Sequence, residues 1–166
     1  MNDLLVLANL LPGPRHGYAL KKQASLVTGR GEMHNNLIYP LLRRFQEKSW
    51  ITKRAAPGQR GQTRSMYTLT KKGKQELLRR LGQFSQKEAA SENNFRLRVG
   101  LFDFLDPETR QRILSERDAW LTSRQERVAR LSTALNAGRW GGEVLSFLAQ
   151  QIRMERNWIS RMKRIV

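Results

Sequence analysis

The hydrophobic positions of the first 48 residues recur at helical spacing and predict three helices. The first helix covers residues 3–11, is apolar almost throughout, and ends at the breaker Pro12-Gly13-Pro14. The second helix runs from about residue 16 to residue 27. The third runs from about residue 36 to residue 48, where apolar side chains return every three or four residues opposite a polar face. Pro40 is compatible with this third helix if it lies in or near the first turn.

The period changes after the third helix. Residues 50–54 and 65–69 are rich in β-branched and aromatic side chains, which is typical of strands. The stretch between them, residues 57–64, is polar, basic and glycine-containing, and it predicts a hairpin with a long positively charged tip. Thr70 is then expected to cap a further helix that carries apolar residues as far as Phe84. Three helices, a hairpin and a helix form a winged helix-turn-helix, in which one helix enters the major groove and the hairpin reaches the flanking backbone or minor groove.

Two apolar stripes dominate the C-terminal half. Asp106 as N-cap and Pro107 at the first helical position predict the start of a long helix. Gly138 and the pair Gly141-Gly142 are expected to break it before a second helix that continues to the C-terminus. The stripe residues are Leu114, Leu121, Val128, Leu135, Leu148, Ile152 and Ile159. Because striped helices need a partner surface, this half is predicted to be a helical domain whose stripes are covered.

The predicted fold is therefore mainly α with a small β-hairpin. It consists of an N-terminal winged helix-turn-helix over residues 1–84 and a C-terminal helical domain over residues 85–166. The sequence has no repeat of fixed period, which argues against a solenoid.

The amino-acid composition excludes several classes of function. The 166 residues include 31 Lys and Arg against 14 Asp and Glu, for a formal net charge of +17, with two histidines and no cysteine. The absence of cysteine excludes disulfides and thiol nucleophiles, and two histidines cannot form a His-rich zinc site. The longest apolar stretch is about half of a membrane span, and no signal peptide is evident. We expect a soluble cytoplasmic protein without a cofactor.

The charge is unevenly distributed along the chain. Residues 1–80 contain 16 Lys and Arg against 4 acidic residues, whereas residues 81–166 contain 15 against 10. Lys and Arg gain affinity for phosphates by releasing counterions. The N-terminal half is therefore the expected polyanion-binding part.

Three sequence blocks resemble the PadR family of transcriptional regulators. They are PGPRHGYAL at residues 12–20, LIYPLLRRF at residues 37–45 and RSMYTLTKKG at residues 64–73. In this order and spacing they cover roughly residues 4–81. Two positions depart from the family pattern: Ser49 replaces the glycine usual after the recognition helix, and the wing at residues 61–65 has fewer basic side chains. The resemblance implies a transcriptional repressor that binds double-stranded DNA as a homodimer, with the C-terminal stripes forming the dimer interface.

The candidate DNA contacts lie on the second helix, the third helix and the wing. They are Tyr18, Lys22, Asn35, Asn36, Tyr39, Arg43, Arg44, Arg60 and Arg64. Simpler interpretations stay open, since tyrosines also pack in cores, arginines are also merely solvated, and Asn35 or Asn36 would serve equally well as a helix N-cap. Arg43 and Arg44 could reach either guanine edges or phosphates.

The sequence gives little support for catalysis. It has no glycine-rich phosphate loop, no nucleophile elbow and no metal-ligand spacing, so we expect neither an enzyme nor a metal protein. The main alternative to a DNA-binding regulator is a basic RNA-binding or ribosome-associated protein, and a third possibility is a helical adaptor for an acidic protein. Trp120, Trp140 and Trp158 could line a small-molecule effector pocket, although such residues more often form core.

Overall fold

The computed structural model describes residues 2–28, 35–57, 63–134 and 138–166. The chain forms two compact units: the first combines Met1–Gln83 with Arg96–Phe104, and the second combines Phe84–Phe95 with Leu105–Val166. The first unit thus includes a segment, Arg96–Phe104, that the predicted division at residue 84 assigned to the C-terminal domain.

The first unit contains the predicted three helices, hairpin and helix. Its elements are α1 (Asn2–Ala8), β1 (Arg15–His16), α2 (Gly17–Thr28), α3 (Asn35–Glu47), β2 (Ile51–Pro57), β3 (Thr63–Leu69) and α4 (Lys71–Gly82). The strands form an antiparallel sheet in the order β1-β3-β2, in which Tyr67 pairs with both Arg15 and Lys53. This arrangement confirms the predicted winged helix-turn-helix. The two-residue strand β1 was not predicted.

Helical periodicity determines which face of each helix enters the core of this unit. Four consecutive side chains of α1, residues 4–7, are buried, so the middle of this short helix is enclosed on all sides. On α3 the buried residues are Ile38, Leu42 and Phe45, at the spacing of four and three that defines one helix face. Pro40 lies beyond the first turn, and because proline has no N–H, the carbonyl of Asn36 loses its helical donor there.

The end of α3 is a Schellman motif built around a non-glycine residue. The Ser49 N–H donates to the Gln46 carbonyl and the Trp50 N–H donates to the Phe45 carbonyl, both at 2.8 Å. Ser49 itself has a φ of 59°, in the left-handed region. The rings of Trp50 and Phe45 pack with their centroids 5.4 Å apart, which supplies the hydrophobic contact that accompanies this motif. Ser49 therefore stands at a position where the left-handed backbone favours the glycine of the PadR pattern.

Replacing Ser49 with glycine is expected to stabilise the first unit by about 0.5–1 kcal/mol. The left-handed conformation costs an L-residue about 1–2 kcal/mol, and the greater freedom of glycine in the unfolded chain cancels part of that gain. The measurement is urea unfolding of the two proteins side by side. Ser49→Ala is the control, since alanine pays the same backbone cost; an equal gain from alanine would refute the explanation.

Thr70 caps α4 as predicted and also ties it to the end of α3. Its hydroxyl oxygen accepts a hydrogen bond from the Gly73 N–H at 2.9 Å, and the hydroxyl lies 2.8 Å from the Ser49 carbonyl, to which it donates. The first turn of α4 is so close to the backbone that follows α3 that a Cβ on Gly73 would lie 2.0 Å from the Trp50 carbonyl oxygen. Glycine is therefore required at this crossing.

The second unit is helical. Its elements are α5 (Gln86–Ala89), the first residues of α6 (Glu92–Val99), α7 (Pro107–Ala134) and α8 (Gly138–Met162). The carboxylate of Asp106 accepts from the Thr109 N–H at 2.8 Å, which confirms the predicted start of α7; this bond lowers the pKa of Asp106. The prediction that Gly141 and Gly142 interrupt the helix is wrong, because both lie inside α8. A helical glycine costs only about 1 kcal/mol, which the packing of the rest of α8 outweighs.

Most of the predicted stripe residues form the core between α7 and α8. Leu114, Leu121, Val128, Ile152 and Ile159 are buried within the single chain, Leu148 is half-buried, and Leu135 lies outside the described residues. Packing within a single chain therefore buries these stripe residues, and their side chains are not accessible to a second copy of the protein. Any part they take in dimerisation is indirect, through holding α7 against α8, and it stays a prediction.

Candidate nucleic-acid interface

The exposed face of α3 lies opposite its buried stripe. Asn36, Tyr39 and Arg43 occupy this face at a spacing of three and four residues, so their side chains lie one above another. Tyr39 is 49% exposed, which excludes the alternative of a core tyrosine. The buried stripe on the other side fixes the rotation of α3 about its own axis, because a rotated helix would expose Ile38 and Leu42.

The two adjacent arginines of α3 have different surroundings. Arg43 is almost fully exposed, and its Nε donates a 3.2 Å hydrogen bond to the carboxylate of Glu47, one turn further along the same helix. Arg44 lies on the flank of the helix, where its Nη2 donates to the Asp3 carboxylate of α1 at 2.7 Å. The same Asp3 oxygen accepts from Arg80 of α4 at 3.0 Å. Arg44 thus joins α3 to α1, and Arg43 is the arginine directed away from the protein.

A second ion-pair group supports this flank of α3. Glu76 binds Arg79 in a two-pronged contact at 2.8 Å and Arg80 at 2.6 Å. The hydrogen bond from Arg79, followed by the contact with Arg80, lowers the pKa of Glu76 to about 2. The Arg80 guanidinium also lies 4.8 Å from the centre of the Trp50 ring. Arg79 and Arg80 thus bind Glu76 within α4, and Arg80 also binds Asp3 of α1, so both arginines are already paired within the protein.

A cleft of about 670 Å³ lies between the start of α2, the exposed face of α3 and the sheet. Its lining consists of His16, Gly17, Tyr18, Ala19, Tyr39, Lys53, Arg64, Ser65 and Tyr67. Tyr18 is 66% exposed at the mouth, whereas Tyr67 is buried in the floor, and this burial raises the pKa of its phenol. The cleft thus unites three of the predicted DNA contacts, Tyr18, Tyr39 and Arg64.

The other predicted contacts are placed unevenly. Lys22 is exposed on α2, and Asn36 is exposed in the first turn of α3. Asn35 is the first residue of α3, so it lies within the helix and not at the N-cap, and its side chain is outside the described residues. Arg60 also lies outside them. Lys53 and Tyr67 were not predicted as site residues. They pair across β2 and β3, so strand alternation would place them on one face of the sheet once the hairpin register is known.

The second unit has an exposed apolar stripe that the sequence analysis did not single out. Trp140, Val144, Phe147 and Met154 follow one another along α8 at spacings of four, three and seven residues, and each is more than half exposed. This stripe is separate from the buried side of α8 that carries Ile152 and Ile159. Large apolar residues that share one exposed helix face mark an interaction surface.

The three tryptophans considered for an effector pocket have different surroundings. Trp120 lines a small cavity of about 250 Å³ beside α5, Trp140 is 76% exposed, and Trp158 packs edge-on against Phe95 with the ring centroids 5.8 Å apart. An effector pocket stays a prediction.

Within the described ranges, no group of three or more acidic or histidine side chains is placed to hold a metal ion. No helix in that part of the chain is both long and apolar enough to cross a bilayer.

The fold and this surface define a winged helix-turn-helix protein. Residues 5–79 match the sequence model of the Transcriptional regulator PadR-like family. A PadR family transcription regulator from hypervirulent Clostridium difficile is 31% identical, with the match covering 46% of this chain and 78% of that one, at a TM-score of 0.39. The chain belongs to the PadR-like family, whose members are transcriptional regulators and not enzymes.

Two further solved structures are similar to this chain. A PadR family regulator from Eggerthella lenta is 32% identical over 45% of this chain and 63% of its own, with a TM-score of 0.39. Bacillus subtilis PadR, solved in complex with operator DNA, is 18% identical over 99% of this chain and 97% of its own, with a TM-score of 0.49. No curated protein matches the chain.

Proposed function

We propose that this protein is a cytoplasmic repressor that binds a specific double-stranded DNA operator. The observation that carries the proposal is the exposed face of α3, where Asn36, Tyr39 and Arg43 stand opposite a buried stripe. Amide and guanidinium groups on a helix of this kind match the donor and acceptor pattern of base edges in the major groove.

The sheet supplies the cations that flank this helix. Lys53 of β2 and Arg64 of β3 are both exposed and line the cleft beside Tyr39 of α3. Cations in such a position neutralise phosphates beside the groove and orient the protein on the duplex. An RNA-binding protein would need surfaces for unstacked bases along a strand, which the described face of α3 does not resemble.

The repressor is proposed to act as a homodimer on a pseudo-palindromic site. The exposed stripe of Trp140, Val144, Phe147 and Met154 is the surface assigned to the second copy. A repeat of four and three residues is the spacing that lets two helices bury one face against each other. The buried residues Leu121 and Ile152 would support this surface from behind by fixing α8 on α7.

Arg43→Ala is expected to weaken operator binding by about 5- to 150-fold, which corresponds to the loss of one specific base or phosphate contact of about 1–3 kcal/mol. The duplex is first recovered from a random library by the protein itself, and its affinity is measured by fluorescence anisotropy at several salt concentrations. If Arg43 binds a phosphate, the slope of log affinity against log salt also falls by about one.

The matched control is Arg153→Ala, which removes the same charge from an exposed position of α8. It is expected to change the affinity by less than twofold. Equal losses in the two variants would mean that only total charge matters and would contradict a recognition role for α3. Structured RNA that competes better than the selected duplex would replace the proposal with the RNA-binding alternative.

A further inference from the structure

Leu37 is an exposed apolar residue in the first turn of α3. Its side chain is 47% exposed, and it directly follows Asn36 of the proposed recognition surface. Pro40 is exposed as well and lies beside Leu37 on the helix surface, because residues three apart are neighbours on a helix. Leu37 and Pro40 together form a carbon surface next to the polar residues of α3, and we call this surface the apolar edge.

The rotation of α3 explains why Leu37 stays outside the core. Ile38, Leu42 and Phe45 are fully buried and fix that rotation. Each residue of a helix is turned by about 100° from the one before it, so the rotation that buries Ile38 leaves Leu37 on the flank of the helix. The exposed part of the Leu37 side chain gains nothing from burial in the single chain, and it would gain only where a second molecule covers it.

The position of the apolar edge indicates what covers it. The N-terminal residues of a recognition helix are the ones that meet base edges. Leucine and proline side chains neither donate nor accept hydrogen bonds, and proline also has no backbone N–H. A donor or acceptor of a base edge held against them would lose its water without gaining a partner. The apolar group that projects from a base edge into the major groove is the C5-methyl group of thymine.

We propose that Leu37 is a specificity-determining residue that packs, together with Pro40, against the C5-methyl group of one thymine in each half-site of the operator. This inference rests on the proposed function, in which Asn36 and Arg43 supply the polar contacts of α3. It adds an apolar contact to them and requires an A·T pair at the position that Leu37 meets. Methylated cytosine carries the same methyl group at the same place in the groove and is the other source of this chemistry.

The test is a scan of the selected duplex in which each thymine in turn is replaced by deoxyuridine, which removes the methyl group alone. The wild-type protein is expected to lose about fourfold in affinity at one position of each half-site, the effect of burying one methyl group. Leu37→Ala is expected to bind the duplexes with and without that methyl group equally well, because the side chain that covers it is absent. Leu37→Met, which keeps an apolar side chain of similar volume, is expected to retain the discrimination.

Leu131→Ala is the matched control. Leu131 is a leucine of similar exposure, 41%, on α7 of the second unit. This variant is expected to show the same loss on deoxyuridine substitution as the wild type. Because Leu37 is half exposed, Leu37→Ala is expected to keep the circular dichroism spectrum of the wild type, and this spectrum is recorded for every variant. A Leu37→Ala protein that is folded and still distinguishes thymine from uracil by about fourfold would contradict the assignment.

A second arm tests methylated cytosine, with each cytosine of the duplex replaced in turn by 5-methylcytosine. A gain of about fourfold at one position that disappears in Leu37→Ala supports the methyl contact with 5-methylcytosine as its source. Normal duplex binding in which neither scan depends on Leu37 overturns the inference and leaves the proposed function intact. Failure to bind any duplex would overturn the proposed function itself.

Discussion

Gly73→Ala is expected to destabilise the first unit by about 3 kcal/mol or more and to abolish DNA binding at 37 °C. The added Cβ would lie 2.0 Å from the Trp50 carbonyl oxygen and 2.9 Å from Cδ1 of Leu69, so backbone as well as side chain must move. Overpacking by a single methyl group ordinarily costs about 1–3 kcal/mol, and a clash with backbone belongs at or beyond the upper end of that range.

The clash also affects the hydrogen bonds at this crossing. The Trp50 carbonyl accepts from the Thr70 N–H at 2.9 Å and lies 3.0 Å from the Thr70 hydroxyl. Moving it away from α4 would break the link between the N-cap of α4 and the Schellman motif that ends α3. Because that motif ends α3, we expect the substitution to displace the proposed recognition helix as well as to lower the free energy of unfolding.

The experiment is urea unfolding followed by circular dichroism, combined with amide hydrogen exchange localised to residues 37–82. Gly142→Ala is the matched control, because a Cβ there meets no described atom within 4 Å apart from the backbone of its own helix, and the residue lies inside α8. That control is expected to stabilise the protein by up to about 1 kcal/mol through helix propensity. If Gly73→Ala unfolded at the same urea concentration as the wild type, the close approach of α4 to Trp50 would be disproved.

Strong periodicity explains which parts of the fold could be predicted from the sequence. The order of helices and the hairpin followed from repeats of three to four residues and of two, and capping residues such as Thr70 and Asp106 located two helix starts. These signals are local, so one sequence is enough to recognise them. Strand β1 has only two residues and depends on pairing with Met66 and Tyr67, about fifty positions away. No local sequence pattern therefore predicts it.

The same distinction separates the predicted from the missed parts of the interface. Tyr39 and Arg43 could be identified because one helical face carries them. Asp3 could not be assigned a role, since its partner Arg80 is 77 residues away in sequence. Arg98 was unexpected as a fully buried arginine; it donates to the carbonyls of Leu81 and Gln83, which follow from tertiary packing alone.

Val144→Glu combined with Phe147→Glu is expected to convert the protein from a dimer to a monomer and to lower operator affinity by at least about 100-fold. Val144 is 58% exposed and Phe147 is 59% exposed in the single chain, so neither substitution disturbs the core of the second unit. In the proposed dimer both side chains are buried against a second copy. Two carboxylates there would leave four unpaired charges in one symmetric interface, which association cannot compensate.

The control for this variant adds the same charge to another side of the same helix. Ser146→Glu combined with Asn157→Glu changes two exposed positions that lie away from the apolar stripe, and it is expected to leave the dimer intact. Sedimentation equilibrium gives the mass of each protein, and anisotropy with the selected duplex gives its affinity. A wild-type protein that sediments as a monomer would contradict the homodimer directly. If the wild type is a dimer and Val144→Glu with Phe147→Glu remains one, the interface must lie elsewhere on the chain, and the stripe on α8 would need another partner.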